Sequence, residues 1–270
     1  MDASGRFYPG VFGRAYLSEN NEMTVTAHEM GHCLTLSDSY SDDPKFKRPE
    51  ASAKIGQYDD EWDVMSADHV KANQTKYGMV GPGLNGFTLK LLGWIPKERI
   101  YTFGQNGKTS ATLNLTTLMN PAPGYPSLII VPCDPSDLQH YYLIEMRFKE
   151  KWDARFDRNS VFIHEVKQDP NKKTKYYRSY LLRARNTTRD SVNFVNMNGV
   201  TITTGEINVQ TRTVSVKITT TNPIARSKAT KRLQAKNYLL LLKKFYAAES
   251  EQFKRELASL ILQRLTKFYK

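Results

Sequence analysis

Residues 26–38 read TAHEMGHCLTLSD and contain the motif His-Glu-x-x-His. In a helix, residues four apart lie on one face, so His28 and His32 can point at the same ion. Two neutral imidazoles and one further ligand can hold Zn²⁺ while leaving a coordination position open for water. Glu29 directly follows the first histidine and can sit beside that water. This stretch therefore predicts a zinc site built on a short helix.

Three further blocks support this prediction, one that continues directly from the motif and two later in the chain. Residues 34–40 read LTLSDSY, residues 62–66 read WDVMS, and residues 87–95 read FTLKLLGWI. In this order the blocks span residues 24–95, and they resemble the metzincin zinc metalloproteases of the immune inhibitor A type. That family consists of secreted bacterial proteases and their eukaryotic relatives.

The resemblance implies a role for each residue of the motif. It implies that His28 and His32 bind zinc and that Glu29 is the general base. Met65 would lie in a turn beneath the metal, and Asp38 matches the usual position of the third ligand. The reaction implied is the hydrolysis of peptide bonds in protein or peptide substrates.

One departure from the family pattern leaves the third ligand open. Thr35 stands where the family has a glycine, and a β-branched residue is costly there if the turn needs a positive φ. Either the turn is made differently or Asp38 is imperfectly placed. Glu50 is the competing ligand, eighteen residues beyond His32, near the spacing of thermolysin-like enzymes. We expect Asp38, because Pro49 precedes Glu50 and the methionine turn points to the metzincin arrangement.

The sequence predicts an α+β chain in three parts. Residues 1–98 resemble the C-terminal part of a metzincin-like catalytic domain, incomplete at its N-terminus because the family places a sheet and a helix before the zinc helix. Residues 99–222 contain short β-forming runs bounded by turn residues, which predicts an antiparallel β-sandwich-like domain. Residues 223–270 combine basic residues with apolar residues at helical spacing, which predicts a basic amphipathic helical tail.

Individual elements can be placed inside these parts. Val25, Met30 and Leu34 predict the buried side of the zinc helix, and a second helix is predicted at residues 85–92. Strands are predicted at residues 12–17, 127–131, 141–147, 161–166 and 214–218.

The net charge of +12 comes mostly from the last part of the chain. Residues 225–270 hold twelve Lys or Arg and three Asp or Glu, a net of +9, which leaves +3 for the preceding residues. This distribution argues against nucleic-acid binding by the catalytic part. It predicts that residues 225–270 contact an anionic membrane or an acidic polysaccharide, more weakly as the salt concentration rises.

The compartment follows from the family and not from a leader sequence. No run of about 18 or more apolar residues occurs, and the chain shows no signal peptide. The resemblance nevertheless implies that the full-length protein is secreted. Glycosylation acceptors at Asn73, Asn114 and Asn186 are compatible with secretion.

A calcium site is a further expectation. Asp38, Asp42, Asp43, Asp59 and Asp60 supply carboxylate oxygens of the kind that Ca²⁺ prefers. A solvated acidic loop is the simpler interpretation of these residues.

Two functions remain open on the sequence alone. The first is a zinc-dependent endopeptidase whose metal-bound water is activated by Glu29. The second is a secreted binding module derived from such a protease, in which Thr35 or the shortened N-terminus has impaired catalysis. The motif favours the first, and it carries no information about cleavage specificity.

Overall fold

The computed structural model describes residues 17, 22–66, 70–104, 107–134, 137–169, 176–183 and 194–222. These residues all belong to one unit, residues 1–224. The tail predicted at residues 223–270 lies outside the described residues, as does the strand predicted at residues 12–17 except for Leu17. Strands far outnumber helices in the described part, so the predicted α+β class is confirmed in a sheet-dominated form.

Two α-helices are described, α1 at Met23–Cys33 and α2 at Gly86–Leu91. No helix in this part of the chain is long and apolar enough to cross a membrane. Short 3-10 segments lie at Lys97–Arg99 and Lys151–Asp153. The strands are β1 (Tyr40–Ser41), β2 (Asn73–Thr75), β3 (Gly78–Val80), β4 (Ile100–Thr102), β5 (Ser110–Thr116), β6 (Leu128–Pro132), β7 (Tyr141–Arg147), β8 (Ser160–Gln168), β9 (Tyr177–Leu181), β10 (Phe194–Met197), β11 (Val200–Asn208) and β12 (Thr213–Thr220).

The larger sheet has six strands in the order β1-β9-β8-β7-β6-β4. Every residue of β7 is buried, so both faces of this strand are covered. Successive side chains alternate between the faces of a strand, and Ile144 and Met146 therefore enter one core while Glu145 and Arg147 lie on the opposite face. That opposite face meets the polypeptide around Trp62, whose carbonyl oxygen accepts a hydrogen bond from Arg147.

A four-stranded antiparallel sheet, in the order β10-β11-β12-β5, covers the other face. The two sheets share one apolar core. Its members from both sheets include Ile129, Ile144, Ile163, Leu115, Ile202, Val216 and Ile218. Burial of this apolar surface is the main favourable term for the β-rich part of the chain.

The four strands predicted in the β-rich part are present as β6, β7, β8 and β12, with ends that differ by a few residues at most. The expectation that all pairing is antiparallel is wrong at the two edges of the larger sheet, where β1 pairs with β9 and β4 with β6 in parallel. Parallel pairing needs a crossover. The crossover between β4 and β6 contains β5, which belongs to the other sheet.

The predicted buried side of α1 is also wrong. Val25, Met30 and Leu34 are 41%, 58% and 41% exposed. The buried residues of α1 are Thr24 and Gly31, one polar and one without a side chain. The spacing of apolar residues therefore predicted the wrong buried face. The helix is held instead by hydrogen bonds from Thr24 and by a side chain packed closely on Gly31.

The contacts of α1 explain this inversion. Thr24 Oγ1 donates hydrogen bonds to the carbonyl oxygens of Met79 and Gly81 at 2.8 and 3.1 Å. Further along the helix, Gly31 contacts the side chain of Met65. These two contacts hold α1 through the face that carries Thr24 and Gly31. The apolar residues predicted to be buried lie outside this face and stay exposed.

The second predicted helix is present as α2, with Asn85 as its N-cap and Leu92 as its C-cap. Asn85 Oδ1 accepts a hydrogen bond from the Thr88 N–H at 2.9 Å, which satisfies one of the free donors of the first turn. The Gly86 N–H donates to the Glu145 carboxylate, so α2 is anchored directly to β7.

The domain boundary predicted between residues 98 and 99 stays a prediction. β1 lies before that boundary and pairs with β9, which lies after it. The two predicted domains thus contribute to one sheet.

Candidate metal centre

The turn after α1 sets the position of the third predicted ligand. The Thr35 N–H donates to the His32 carbonyl oxygen at 2.9 Å, and the Leu36 N–H donates to that of Gly31 at 3.1 Å. This pair of bonds is the Schellman pattern, in which the residue after the C-cap is left-handed. Thr35 is that residue, with a φ of 69°. The chain therefore makes a left-handed turn with threonine where glycine is usual.

This turn brings three predicted ligands together. One ligand atom from each of His28, His32 and Asp38 lies within 4.8 Å of the others, and the described part of the chain holds no second group of three such side chains. Asp38 Oδ1 lies 3.8 Å from His28 Nε2 and 3.4 Å from His32 Nε2. Glu50 is largely exposed and pairs with Arg48 at 3.5 Å. Of the two candidate carboxylates, Asp38 is therefore the one beside the histidines.

Both histidines are oriented by backbone carbonyl groups. His28 Nδ1 lies 3.0 Å from the Val64 oxygen, and His32 Nδ1 lies 2.9 Å from the Leu36 oxygen. A carbonyl oxygen only accepts hydrogen bonds, so each Nδ1 carries the proton and each Nε2 keeps a lone pair in the neutral ring. Metal-binding histidines are generally held in this way.

Asp38 is held by one oxygen and leaves the other without a partner. Gln57 Nε2 donates to Asp38 Oδ2 at 2.8 Å. Asp38 Oδ1 is buried and has no hydrogen-bond partner in the structure. Burial would raise the pKa of Asp38, but His32 and Gln57 outweigh it and hold the pKa below its usual value. The carboxylate is therefore ionised with one unsatisfied oxygen.

The donor set fits zinc. Zn²⁺ binds histidine nitrogen and carboxylate oxygen, and catalytic sites use three protein ligands with a fourth position open. Leaving a buried carboxylate oxygen unpaired is costly. A cation between Asp38 Oδ1 and the two imidazole nitrogens would satisfy all three atoms at once.

Glu29 directly follows His28 in α1 and is half-buried. The pKa of His32 is raised, first by its contact with Asp38 and against the effect of burial, and the charge of Glu29 adds to the rise. The role of Glu29 as a general base stays a prediction.

Met65 is fully buried and packs against α1 between the two histidines. Its sulfur lies 2.3 Å from the position that a Cβ on Gly31 would take, so no larger residue fits there without displacing it. The close approach at this glycine is thus made by the Met65 side chain. The Met65 carbonyl oxygen also accepts a hydrogen bond from the Ser39 N–H at 2.9 Å, which joins the methionine turn to the segment after Asp38.

Asp63 shapes the methionine turn. Its Oδ1 accepts a hydrogen bond from the Met65 N–H at 3.0 Å, and its carbonyl oxygen accepts one from the Ser66 N–H at 2.9 Å. The side chain is completely buried. Burial first, and then the charge of Asp60, raises the pKa of Asp63 to about 7.

Two residues of the site, Gln57 and Tyr58, belong to no sequence motif that predicts their place beside the histidines. The Tyr58 ring lies 6.4 Å from the His28 ring between centroids. Burial and then the nearby charge of Asp38 raise its pKa. Both residues reach the site because the Tyr58 N–H bonds to the Ser39 carbonyl oxygen at 2.8 Å, a long-range contact that no local pattern encodes.

Two of the acidic residues considered for calcium, Asp59 and Asp60, pair with side chains of the protein. Asp59 Oδ2 lies 3.1 Å from Arg183 Nε, and Asp60 Oδ2 lies 3.0 Å from His164 Nε2. Asp59 is thus paired with a guanidinium group and Asp60 with an imidazole ring. A calcium site stays a prediction.

No protein-family model, curated protein or solved structure matches this chain. The resemblance to metzincins therefore rests on the quoted residues alone. The structure adds to these residues the convergence of His28, His32 and Asp38.

Replacing Thr35 by Asn should raise the free energy of unfolding by about 1 kcal/mol, because Asn tolerates the left-handed conformation that a β-branched residue resists. Thr35→Val is the matched control, since it keeps the β-branch and should bring no gain. Urea unfolding of the metal-free proteins measures both. Equal stability of the two variants would contradict the strained turn.

Asp63 should make stability depend on pH. Its pKa rises from 3.8 to about 7 on folding, so its contribution is complete below the lower value and is lost as pH rises to the upper one. Asp63→Asn removes this titration while keeping an acceptor oxygen. Urea unfolding from pH about 4 to 8 should therefore show the variant gaining stability relative to the wild type as pH rises. A constant difference would contradict a buried, protonated carboxyl group.

Proposed function

We propose that this chain is a zinc-dependent endopeptidase of the metzincin kind, acting on protein or peptide substrates. The observation that carries the proposal is the buried, unpartnered Asp38 Oδ1, which faces Nε2 of both His28 and His32. The carbonyl groups of Val64 and Leu36 support it further, because they fix both rings with Nε2 unprotonated.

His28, His32 and Asp38 would hold the metal. When bound, zinc supplies Lewis acidity, which polarises a carbonyl group and lowers the pKa of water to about 7. The three ligands come from one helix and the turn directly after it, so they are positioned by local backbone structure. Such preorganisation reduces the cost of assembling the site.

Glu29 acts as the general base. It takes a proton from the attacking water and later delivers it to the nitrogen of the departing amine. A carbon–oxygen bond forms and the peptide carbon–nitrogen bond breaks, so water is consumed and two chain ends are released.

Two wider proposals follow, the first from the resemblance to immune inhibitor A proteases and the second from the charge of the chain's last part. The full-length protein would be secreted. Residues 225–270, with a net charge of +9, would contact anionic membrane or polysaccharide.

Glu29→Gln tests the reaction directly. The variant should keep one zinc per chain by elemental analysis and lose at least about a hundredfold in peptide hydrolysis, since a general base contributes that much or more. Glu22→Gln, an exposed acid just before α1, is the matched control and should retain both properties.

Asp38→Ala separates the alternatives at the metal. Loss of zinc together with hydrolysis is expected, and full zinc retention would remove Asp38 from the ligand set. A wild-type chain that binds no zinc would refute the proposal. One that binds zinc but cleaves no peptide would favour the non-catalytic binding module.

A further inference from the structure

The two histidines differ in what holds them. The carbonyl group that orients His32 belongs to Leu36, four residues further along the same turn. The carbonyl group that orients His28 belongs to Val64, in a loop distant in sequence. The direction of the His28 lone pair therefore depends on how firmly that loop is fixed.

Arg147 bonds both to the loop that carries Val64 and to a second segment that this loop contacts. Its guanidinium donates to the Trp62 carbonyl oxygen at 2.6 Å and to the Gly83 carbonyl oxygen at 3.1 Å. The Val64 N–H faces the same Gly83 oxygen at 3.4 Å. One side chain of β7 thus bonds to the carbonyl group two residues before Val64 and to Gly83, whose carbonyl oxygen also accepts a hydrogen bond from the Val64 N–H.

Arg147 is in turn held by Asp153. Arg147 Nε donates to Asp153 Oδ2 at 2.9 Å, and a second nitrogen bonds to Asp153 Oδ1. Asp153 Oδ1 also accepts a hydrogen bond from the Gly83 N–H at 3.1 Å. The forked geometry of the guanidinium suits this use, because it directs several donors along fixed lines.

The burial of this pair argues for a role beyond stability. Arg147 is 2% exposed and Asp153 is 1% exposed. A buried ion pair is often no more stabilising than well-packed apolar residues of the same volume, because both charges lose their hydration. What an apolar replacement could not supply is a donor to each of two backbone carbonyl groups.

We propose that Arg147 is a positioning residue for the metal centre, oriented by Asp153 and acting through the Val64 carbonyl group on His28. The proposal rests on the proposed zinc site. It assigns to the β-rich part of the chain a share in zinc binding, because Arg147 lies at the end of β7 and contacts none of the three ligands directly.

The test uses the whole chain, loaded with zinc and labelled with nitrogen-15 in histidine. Each Nδ1–H proton is assigned by its proximity to Val64 for His28 or to Leu36 for His32. In Arg147→Lys, which keeps the charge but loses the fork, the His28 proton should exchange faster with solvent while the His32 proton is unchanged. Zinc affinity, from competition with a chelator, should fall by about 10–100-fold.

Arg212→Lys is the matched control. Arg212 also pairs with a carboxylate, that of Glu150, and donates to the Asn120 and Met119 carbonyl oxygens at 3.0 and 3.4 Å. It lies in the turn between β11 and β12, so its replacement should leave both histidine protons and the zinc affinity unchanged.

If Arg147→Lys speeds solvent exchange of both histidine protons equally, or changes neither exchange rate, the proposal is overturned. Should Arg147→Lys fail to fold, Asp153→Asn keeps the cation and loosens only its orientation, and the same selective effect on His28 is expected. If neither variant folds, the pair is needed for the fold itself and the positioning role is overturned. Absence of zinc from the wild type would instead be a failure of the proposed zinc site.

Discussion

The packing of Met65 on Gly31 is the contact on which the site depends. Because Gly31 has no side chain, the sulfur of Met65 occupies the space beside α1, and the methionine turn comes within hydrogen-bonding distance of the helix. The Val64 carbonyl group then reaches His28, and the Met65 carbonyl group reaches Ser39, just after Asp38. One close approach thus couples the helix, the loop and the third ligand.

The larger sheet supports this arrangement because its central strand serves two purposes. Alternation along β7 places Ile144 and Met146 in the core between the sheets and Arg147 on the side of the methionine turn. A rigid, fully buried strand is a better support for a metal site than a surface loop would be. The same face carries Glu145, whose carboxylate anchors the first residue of α2.

Local patterns in the sequence predicted the parts of the molecule that local physics determines. Histidines four apart on a helix, strands such as β7 and β8, and the helix α2 all follow from short-range periodicity or helix-end signals. Three features could not be predicted in this way. The buried side of α1 depends on the distant Met65, Gln57 reaches Asp38 through the fold of a polar loop, and the parallel edge strands depend on where the chain crosses between sheets. Thr35 adopts a left-handed conformation that a β-branched residue disfavours. The hydrogen bonds at the end of α1 impose this conformation.

X-ray absorption at the zinc edge, on the chain loaded with one equivalent of zinc, would identify the atoms that bind the metal. We expect two imidazole nitrogens at about 2.0–2.1 Å and a carboxylate oxygen at about 2.0–2.2 Å, with no sulfur ligand. The free Cys33 directly follows His32, so a competing thiolate ligand is available in the chain. A sulfur shell at about 2.3 Å, or a spectrum without imidazole scattering, would contradict a site formed by His28, His32 and Asp38.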